Sequence, residues 1–221
     1  MYIRGITFLV FLVNVSVCAL AQAKNTPVAS YQQCVSCHGE QAQGNDVLKA
    51  PVLAGQYSWY LQRQLNNFAN GSRGQHSQDI LGQQMSAIAK TISSAEQSMI
   101  VNYLEKLPVK KNKAEAEIKG NLKNGSRYYQ ARCGACHGGN AQGNKTFNAP
   151  KLAGQSSKYL LRQMNNFKQG IRGTVKEDKY GRQMAMMAKT VSEKQLKDIL
   201  FFISREEITN TSVENKSSGE K

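Results

Sequence analysis

A chain of 221 residues has room for one large domain or two small ones. Hydrophobic residues make up 40 % of it and charged residues 20 %, a balance that is typical of a folded protein and excludes wholesale disorder. The formal net charge of +14 favours anionic partners, such as an acidic protein patch or a membrane surface. No dense basic run with interleaved aromatic residues is present, so nucleic acid is not an expected partner.

The first 23 residues have the features of a secretory signal peptide. Arg4 supplies the positive charge, an apolar run follows at 6–13, and the small residues Ala21 and Ala23 stand at positions −3 and −1 of a cleavage site. We therefore expect residues 1–23 to be removed on export to the periplasm. Loss of Arg4 lowers the net charge from +14 to +13.

Three other interpretations of this segment stay open. An uncleaved membrane anchor needs about 20 apolar residues, and this run is shorter. Lipid attachment at Cys18 requires a small preceding residue, whereas Val17 is bulky. Cleavage after Ala21 is the third alternative.

The rest of the chain is a tandem repeat. A shift of 99 residues aligns the two halves without a gap over some 60 residues, which indicates duplication of a whole domain. The matching segments are 34–39 with 133–138, 44–45 with 143–144, 50–56 with 149–155, 66–68 with 165–167, 73–74 with 172–173, 84–85 with 183–184 and 89–91 with 188–190.

The repeat predicts two domains. The first spans 24–108 and the second spans 120–206. A charged linker at 109–119 follows Pro108 and is expected to be solvated. The tail at 207–221 is rich in Ser, Thr, Asn, Glu and Lys, a composition that is typical of disorder.

Within each unit the hydrophobic spacing is helical. Leu61, Leu65 and Phe68 lie on one face of a predicted helix over 58–70, and the pattern recurs over 157–169. No stretch alternates with period two, so the predicted fold is all-α. Helix-ending and helix-starting signals also come in pairs: Gly71 and Gly170 as C-terminal caps, and capping boxes at Ser93 with Glu96 and at Ser192 with Gln195.

Each unit carries one C-x-x-C-H motif, the attachment signature of c-type haem. Two thiols three residues apart on a helical turn reach the two vinyl groups of one porphyrin, and the adjacent histidine then ligates the iron. The sequence therefore predicts two covalently bound haem c groups. The attachment residues are Cys34 and Cys37 with His38, and Cys133 and Cys136 with His137.

Three alternatives compete for these cysteines. A zinc site needs four ligands, and each unit offers two cysteines and one nearby histidine. A thioredoxin-like redox pair usually adjoins a βαβ pattern, and no such pattern is visible. A two-disulfide scaffold would suit an exported chain with four cysteines, but the histidine that follows each pair favours haem.

Haem iron bound by one histidine has a sixth position. Met85 and Met184 each lie 47 residues after the histidine of their own unit, so they are the predicted sixth ligands. Met186 and Met187 are rivals in the second unit, but the residues at their repeat positions have no ligating side chain. The alternative is that Met85 and Met184 are core methionines. Thioether ligation raises the reduction potential and leaves no site for oxygen or peroxide.

Two arginines and one histidine are further candidates for contact with the haem groups. Arg73 and Arg172 match across the repeat and are candidates to pair with haem propionates, with plain exposed arginines as the alternative. His76 has no histidine at its repeat position, so we interpret it as a surface residue.

The chain resembles the di-haem class I cytochromes c of the cytochrome c4 type. The resemblance rests on the two C-x-x-C-H-G runs, the Ala-Pro-x-Leu-Ala-Gly-Gln segments at 50–56 and 149–155, and the Gln-Met segments followed by Ala-Lys-Thr. It implies two cytochrome c-like domains related by a pseudo-twofold axis, with the haem propionate edges near their interface. It also implies that the carbonyls of Pro51 and Pro150 accept hydrogen bonds from the haem histidines.

The resemblance further implies the partners. Similar proteins pass electrons in the periplasm, from a quinol-oxidising complex toward a terminal oxidase or reductase, and some associate with the membrane surface. The net charge is more basic than expected of a generic member, which leaves the usual redox partner open.

The expected function is single-electron transport without substrate chemistry. The first alternative is an electron-accepting cytochrome subunit of a periplasmic dehydrogenase, which uses the same haem chemistry. The second is a di-haem peroxidase, which needs one haem with a vacant or displaceable sixth ligand.

Overall fold

The computed structural model describes residues 27–109 and 118–206. The predicted signal peptide, most of the predicted linker and the predicted disordered tail lie outside the described residues. The first unit consists of four helices: α1 (Pro27–His38), α2 (Ser58–Ala69), α3 (Ile80–Ala89) and α4 (Ser94–Lys106). The second contains α5 (Leu122–Tyr129), a π-helical turn (Gln130–Gly134), α6 (Ala135–His137), α7 (Ser157–Lys168), α8 (Lys179–Lys189) and α9 (Glu193–Arg205).

The all-α prediction is confirmed. The only β-type pairings in the described ranges are two isolated bridges, Asn45 with Ala50 and Asn144 with Ala149. None of the described helices has the length and hydrophobicity that crossing a membrane requires.

The helix boundaries follow the predicted capping signals. In α4 the Ser93 hydroxyl accepts from the Glu96 backbone N–H, and the Glu96 carboxylate accepts from the Ser93 backbone N–H. In α9, Ser192 and Gln195 form the same pair of bonds. Gly71 and Gly170 follow the last residues of α2 and α7 closely and have φ angles of +84° and +72°, a region that favours glycine.

Each unit has its own hydrophobic core beneath its last helix. In the first unit Leu61 of α2 packs with Ile100 and Leu104 of α4, and in the second Leu160 of α7 packs with Leu196 and Leu200 of α9. The close approach of α5 to α9 depends on a glycine, because a β-carbon at Gly125 would lie 2.0 Å from the carbonyl oxygen of Asp198.

Two glutamines join the units through backbone groups. The Gln155 side chain accepts from the Val52 N–H at 2.9 Å and donates to the Val52 carbonyl at 2.8 Å. At the repeat-equivalent place, the Gln56 side chain accepts from the Lys151 N–H at 3.2 Å and donates to the Lys151 carbonyl at 2.9 Å. Contacts that recur in both directions are the mark of a twofold arrangement.

Two arginines extend this symmetric interface. Arg63 on α2 donates to the carbonyl of Asn148 at 2.8 Å. Its repeat equivalent, Arg162 on α7, donates to the carbonyl of Lys49 at 2.7 Å. The predicted pseudo-twofold relation of the two domains therefore appears as reciprocal hydrogen bonds between equivalent residues.

We expect Gln155→Ala to lower the free energy of unfolding by about 2–3 kcal/mol, because it leaves the buried N–H and C=O of Val52 without their partner. Gln169→Ala, at an exposed position just after α7, is the matched control and should change the stability by less than about 0.5 kcal/mol. Urea denaturation of the holoprotein measures both values. Equal stabilities of the two variants would contradict the role of the glutamine in joining the units.

Candidate haem sites and the interface between them

Each C-x-x-C-H motif lies at the C-terminal end of the first helical segment of its unit. Cys34 and Cys133 are half-buried against the cores, while Cys37 and Cys136 are exposed. Burial raises the pKa of Cys34 to about 11 and that of Cys133 to about 11. None of the four motif cysteines forms a disulfide, so each motif offers one half-buried and one exposed sulfur for haem attachment.

A buried tyrosine fixes the loop after each motif. The Tyr31 hydroxyl donates to the carbonyl of Gly39 and the Tyr129 hydroxyl to that of Gly138, both at 2.7 Å. These two glycines are repeat equivalents, but the tyrosines are not, because Tyr129 lies one residue further from its motif. The π-helical turn at Gln130–Gly134 accommodates that extra residue and lets both rings reach the same carbonyl.

The two motif histidines are buried and oriented by proline carbonyls, as the resemblance implied. His38 Nδ1 lies 3.0 Å from the carbonyl oxygen of Pro51, and His137 Nδ1 lies 2.9 Å from that of Pro150. A carbonyl oxygen only accepts, so each Nδ1 carries the proton and each Nε2 keeps its lone pair. Burial lowers the pKa of both imidazoles, outweighing the proline bond that raises it.

This state of the histidines fits haem iron. A neutral imidazole with its proton fixed on Nδ1 presents Nε2 as a ligand, and the second bond holds the ring in one orientation. The cysteine thiols that would form thioethers to the porphyrin lie on the same helical segment as the histidine.

The predicted sixth ligands occupy equivalent places on α3 and α8. Met85 and Met184 are both half-buried, whereas the rivals Met186 and Met187 are 64 % and 39 % exposed. Met164 packs against the core of the second unit. Each methionine-bearing helix begins at an aspartate cap, Asp79 for α3 and Asp178 for α8.

Arg73 and Arg172 are buried, so their interpretation as plain exposed arginines is wrong. Each side chain is 8 % exposed. Arg73 donates to Gln64 of its own unit at 2.7 Å and to Gln163 of the other at 3.0 Å. Arg172 donates to Gln163 at 2.7 Å and to Gln64 at 2.8 Å, which makes a four-residue network across the interface.

The two guanidinium groups of the arginine network form no hydrogen bond with an anion among the described residues. None of the described hydrogen bonds of Arg73 or Arg172 is to a carboxylate, and the buried Nε of each has no partner. The positive charge also acts on Tyr159. Burial alone would raise the pKa of this tyrosine, but the two guanidinium groups lower it below its usual value. Buried charges need a partner, so this network fits the anionic propionates of two haem groups.

Sequence reasoning missed the glutamines of this interface. Gln64 and Gln163 are repeat equivalents, as are Gln56 and Gln155, and that identity was the available signal. Glutamines are mostly exposed in proteins, so nothing in their local sequence pointed to burial. His76 is exposed, in agreement with its interpretation as a surface residue.

Comparison with known proteins gives the family. The cytochrome c family model matches the chain twice, at residues 28–108 and 122–205. Cytochrome c-552 of Acidithiobacillus ferridurans is 29 % identical over 213 residues, which cover 90 % of this chain and 86 % of that protein. The thiosulfate dehydrogenase electron acceptor of Thiomonas intermedia is 33 % identical over 151 residues, covering 63 % of this chain and 64 % of the other.

The fold matches solved structures as well. The cytochrome c4 structure of Acidithiobacillus ferrooxidans superposes with a TM-score of 0.64 at 25 % identity, covering 79 % of this chain and 98 % of that one. Two consecutive family matches, each with its own C-x-x-C-H motif, show that the chain belongs to the cytochrome c family, as a di-haem electron carrier of the cytochrome c4 type with two covalently bound haem c groups.

Proposed function

We propose that this chain carries single electrons between redox partners in the periplasm and performs no substrate chemistry. The axial ligand pairs are His38 with Met85 and His137 with Met184. The observation that carries the proposal is the placement of the two histidines, which are buried and hydrogen-bonded through Nδ1 to proline carbonyls, so that Nε2 is presented as a ligand. The same arrangement occurs in both units, which supports two haem sites with the same ligands.

Haem c supplies a one-electron iron couple when bound. The chain contributes the ligand groups: Pro51 and Pro150 hold the imidazoles, and Met85 and Met184 would supply a neutral thioether as the second ligand. With imidazole and thioether in place, no ligand has to enter or leave when the charge changes. Such a site suits fast electron transfer and leaves no position for a substrate.

The choice of methionine rests on two observations. Met85 and Met184 each lie 47 residues after their histidine, and both are half-buried. Met186 and Met187 are 64 % and 39 % exposed, and their counterparts Ala87 and Ile88 have no ligating side chain.

The buried arginines have a role in this account. Arg73 and Arg172 would neutralise the haem propionates with the Nε groups that have no partner in the protein. Because both residues contact both units, their charge acts on both haem sites and favours the reduced state at each.

A second candidate is the electron-accepting cytochrome subunit of a periplasmic dehydrogenase. The relative from Thiomonas intermedia, named a thiosulfate dehydrogenase electron acceptor, supports it. The haem sites suit both functions equally, and stable co-purification with a dehydrogenase would favour the subunit function.

For the freely diffusing carrier, we propose a quinol-oxidising complex as donor, a terminal oxidase or reductase as acceptor, and peripheral contact with the membrane surface.

We expect Met184→Ala to remove half of the weak red absorption band that reports the bond between ferric iron and thioether sulfur. It should also lower one of the two reduction potentials by on the order of 100 mV, because a neutral thioether favours ferrous iron. Met186→Ala is the matched control on the same helix and should leave the band and both potentials unchanged. The reverse pattern would show that Met186 is the ligand.

We expect both haems of the reduced native protein to resist carbon monoxide at neutral pH, since imidazole and thioether fill both axial positions. Met184→Ala is the positive control and should bind carbon monoxide at one haem of the two. Optical spectra before and after gas addition give the result. Rapid binding of carbon monoxide at one haem of the native protein would contradict the carrier function and favour a peroxidase-like enzyme.

A further inference from the structure

The two units have very different charges despite their common fold. Residues 27–109 contain five lysines and arginines and five aspartates and glutamates, so their formal charge is zero. Residues 118–206 contain seventeen lysines and arginines and five aspartates and glutamates, so their formal charge is +12. The excess positive charge of the described residues therefore lies on the second unit alone.

Part of this charge is gathered at the C-terminal end of α8. Lys189 is the last residue of the helix, Arg132 donates to the carbonyl of Thr190 at 2.9 Å, and Lys168 donates to the carbonyl of Val191. The two hydrogen bonds fix two cations around one turn. We call Arg132, Lys168 and Lys189 the basic cluster.

The basic cluster adjoins exposed apolar side chains. Met186 and Met187, which are 64 % and 39 % exposed, lie within one turn of Lys189 on the same helix. Positive charges next to exposed apolar side chains are typical of a protein-binding surface, where charge steers the encounter and apolar contact completes it.

The equivalent place in the first unit keeps one exposed apolar side chain, Ile88, but lacks most of the positive charge. Arg132 and Lys168 have Gln33 and Ala69 at their repeat positions, and only Lys90 matches a cation of the basic cluster. Duplicated domains start with the same surface, so the difference marks the second unit as the one with a charged partner.

The basic cluster also lies beside the proposed haem site of the second unit. Met184 precedes Met186 by two residues on α8, and Arg132 directly precedes Cys133. A partner bound there would be close to the electron-transfer site.

We propose that the basic cluster, with Met186 and Met187, is the docking surface for an electron-transfer protein that presents an acidic patch. This inference rests on the proposed carrier function and adds the site and the chemistry of one partner. An acidic protein fits better than an anionic lipid surface, because a helix that lies on a membrane has a long apolar face and α8 exposes two methionines beside its charges. Small, steered interfaces are typical of transient redox complexes.

The test measures oxidation of the reduced holoprotein by oxidised plant plastocyanin, an acidic one-electron protein, in a stopped-flow instrument. The variant Arg132→Gln/Lys168→Ala replaces two cations of the basic cluster by the residues found in the first unit. We expect its second-order rate constant to fall on the order of tenfold at low ionic strength, and the difference to disappear at high salt.

The matched control is Lys176→Ser/Lys179→Ile, which also removes two charges and also introduces the first unit's residues. Lys179 begins α8 and lies about 15 Å from Lys189 at 1.5 Å per residue. We expect a change of less than about twofold. Equal slowing of both variants, or no slowing of either, would overturn the proposal.

A charge-preserving pair, Arg132→Lys/Lys168→Arg, separates charge from local structure. It should keep the native rate constant if the positive charge itself steers the partner, and a tenfold loss here would overturn the proposal. Sedimentation with phosphatidylglycerol vesicles tests the lipid alternative: vesicle binding lost in the first variant, with its plastocyanin rate unchanged, would overturn the acidic-protein assignment.

Failure of this proposal is distinguishable from failure of the carrier function. If every variant is oxidised rapidly at the same rate, the protein is an electron carrier with a different docking surface. If the native protein binds carbon monoxide rapidly at one haem, the carrier function itself fails.

Discussion

The backbone at Pro51 and Val52 both orients the His38 imidazole and joins the two units. The Pro51 carbonyl accepts from His38, which orients the imidazole, and the next residue pairs both its N–H and its C=O with Gln155 of the other unit. Pro150 and Lys151 do the same for His137 and Gln56. The segment that holds the ligand in one unit therefore also holds the units together. A change at the interface reaches the haem histidine through a single peptide.

The interface between the units forms a feature that a single domain could not form. The arginine network of Arg73 and Arg172 with Gln64 and Gln163 needs side chains from both units, and its charge lies between the two sites. One cytochrome c domain alone would expose these guanidinium groups to water, which would screen them. Burial between two domains preserves their effect on the electron affinity of both sites.

Local patterns were sufficient to predict much of this structure. The capping boxes, the glycines after α2 and α7 and the spacing of apolar residues all depend on neighbours in the sequence. The interface was not predicted in the same detail, because Gln155 and Val52 are 103 residues apart and neither belongs to a local motif. The repeat offset also failed at one point, since Tyr129 is displaced by one residue and the π-helical turn absorbs the displacement. An alignment without gaps contains no information about such a turn.

The axial methionines are the part of the account that depends most on the repeat. Their equal spacing from the histidines is a sequence observation, and their partial burial agrees with it. A potentiometric titration of the purified protein, followed optically and combined with a pyridine haemochrome count, tests the whole assignment. The account predicts two haems per chain and two one-electron steps, both at the high potentials typical of imidazole and thioether ligation. A colourless protein, one haem per chain, or a step at the low potential of another ligand set would contradict it.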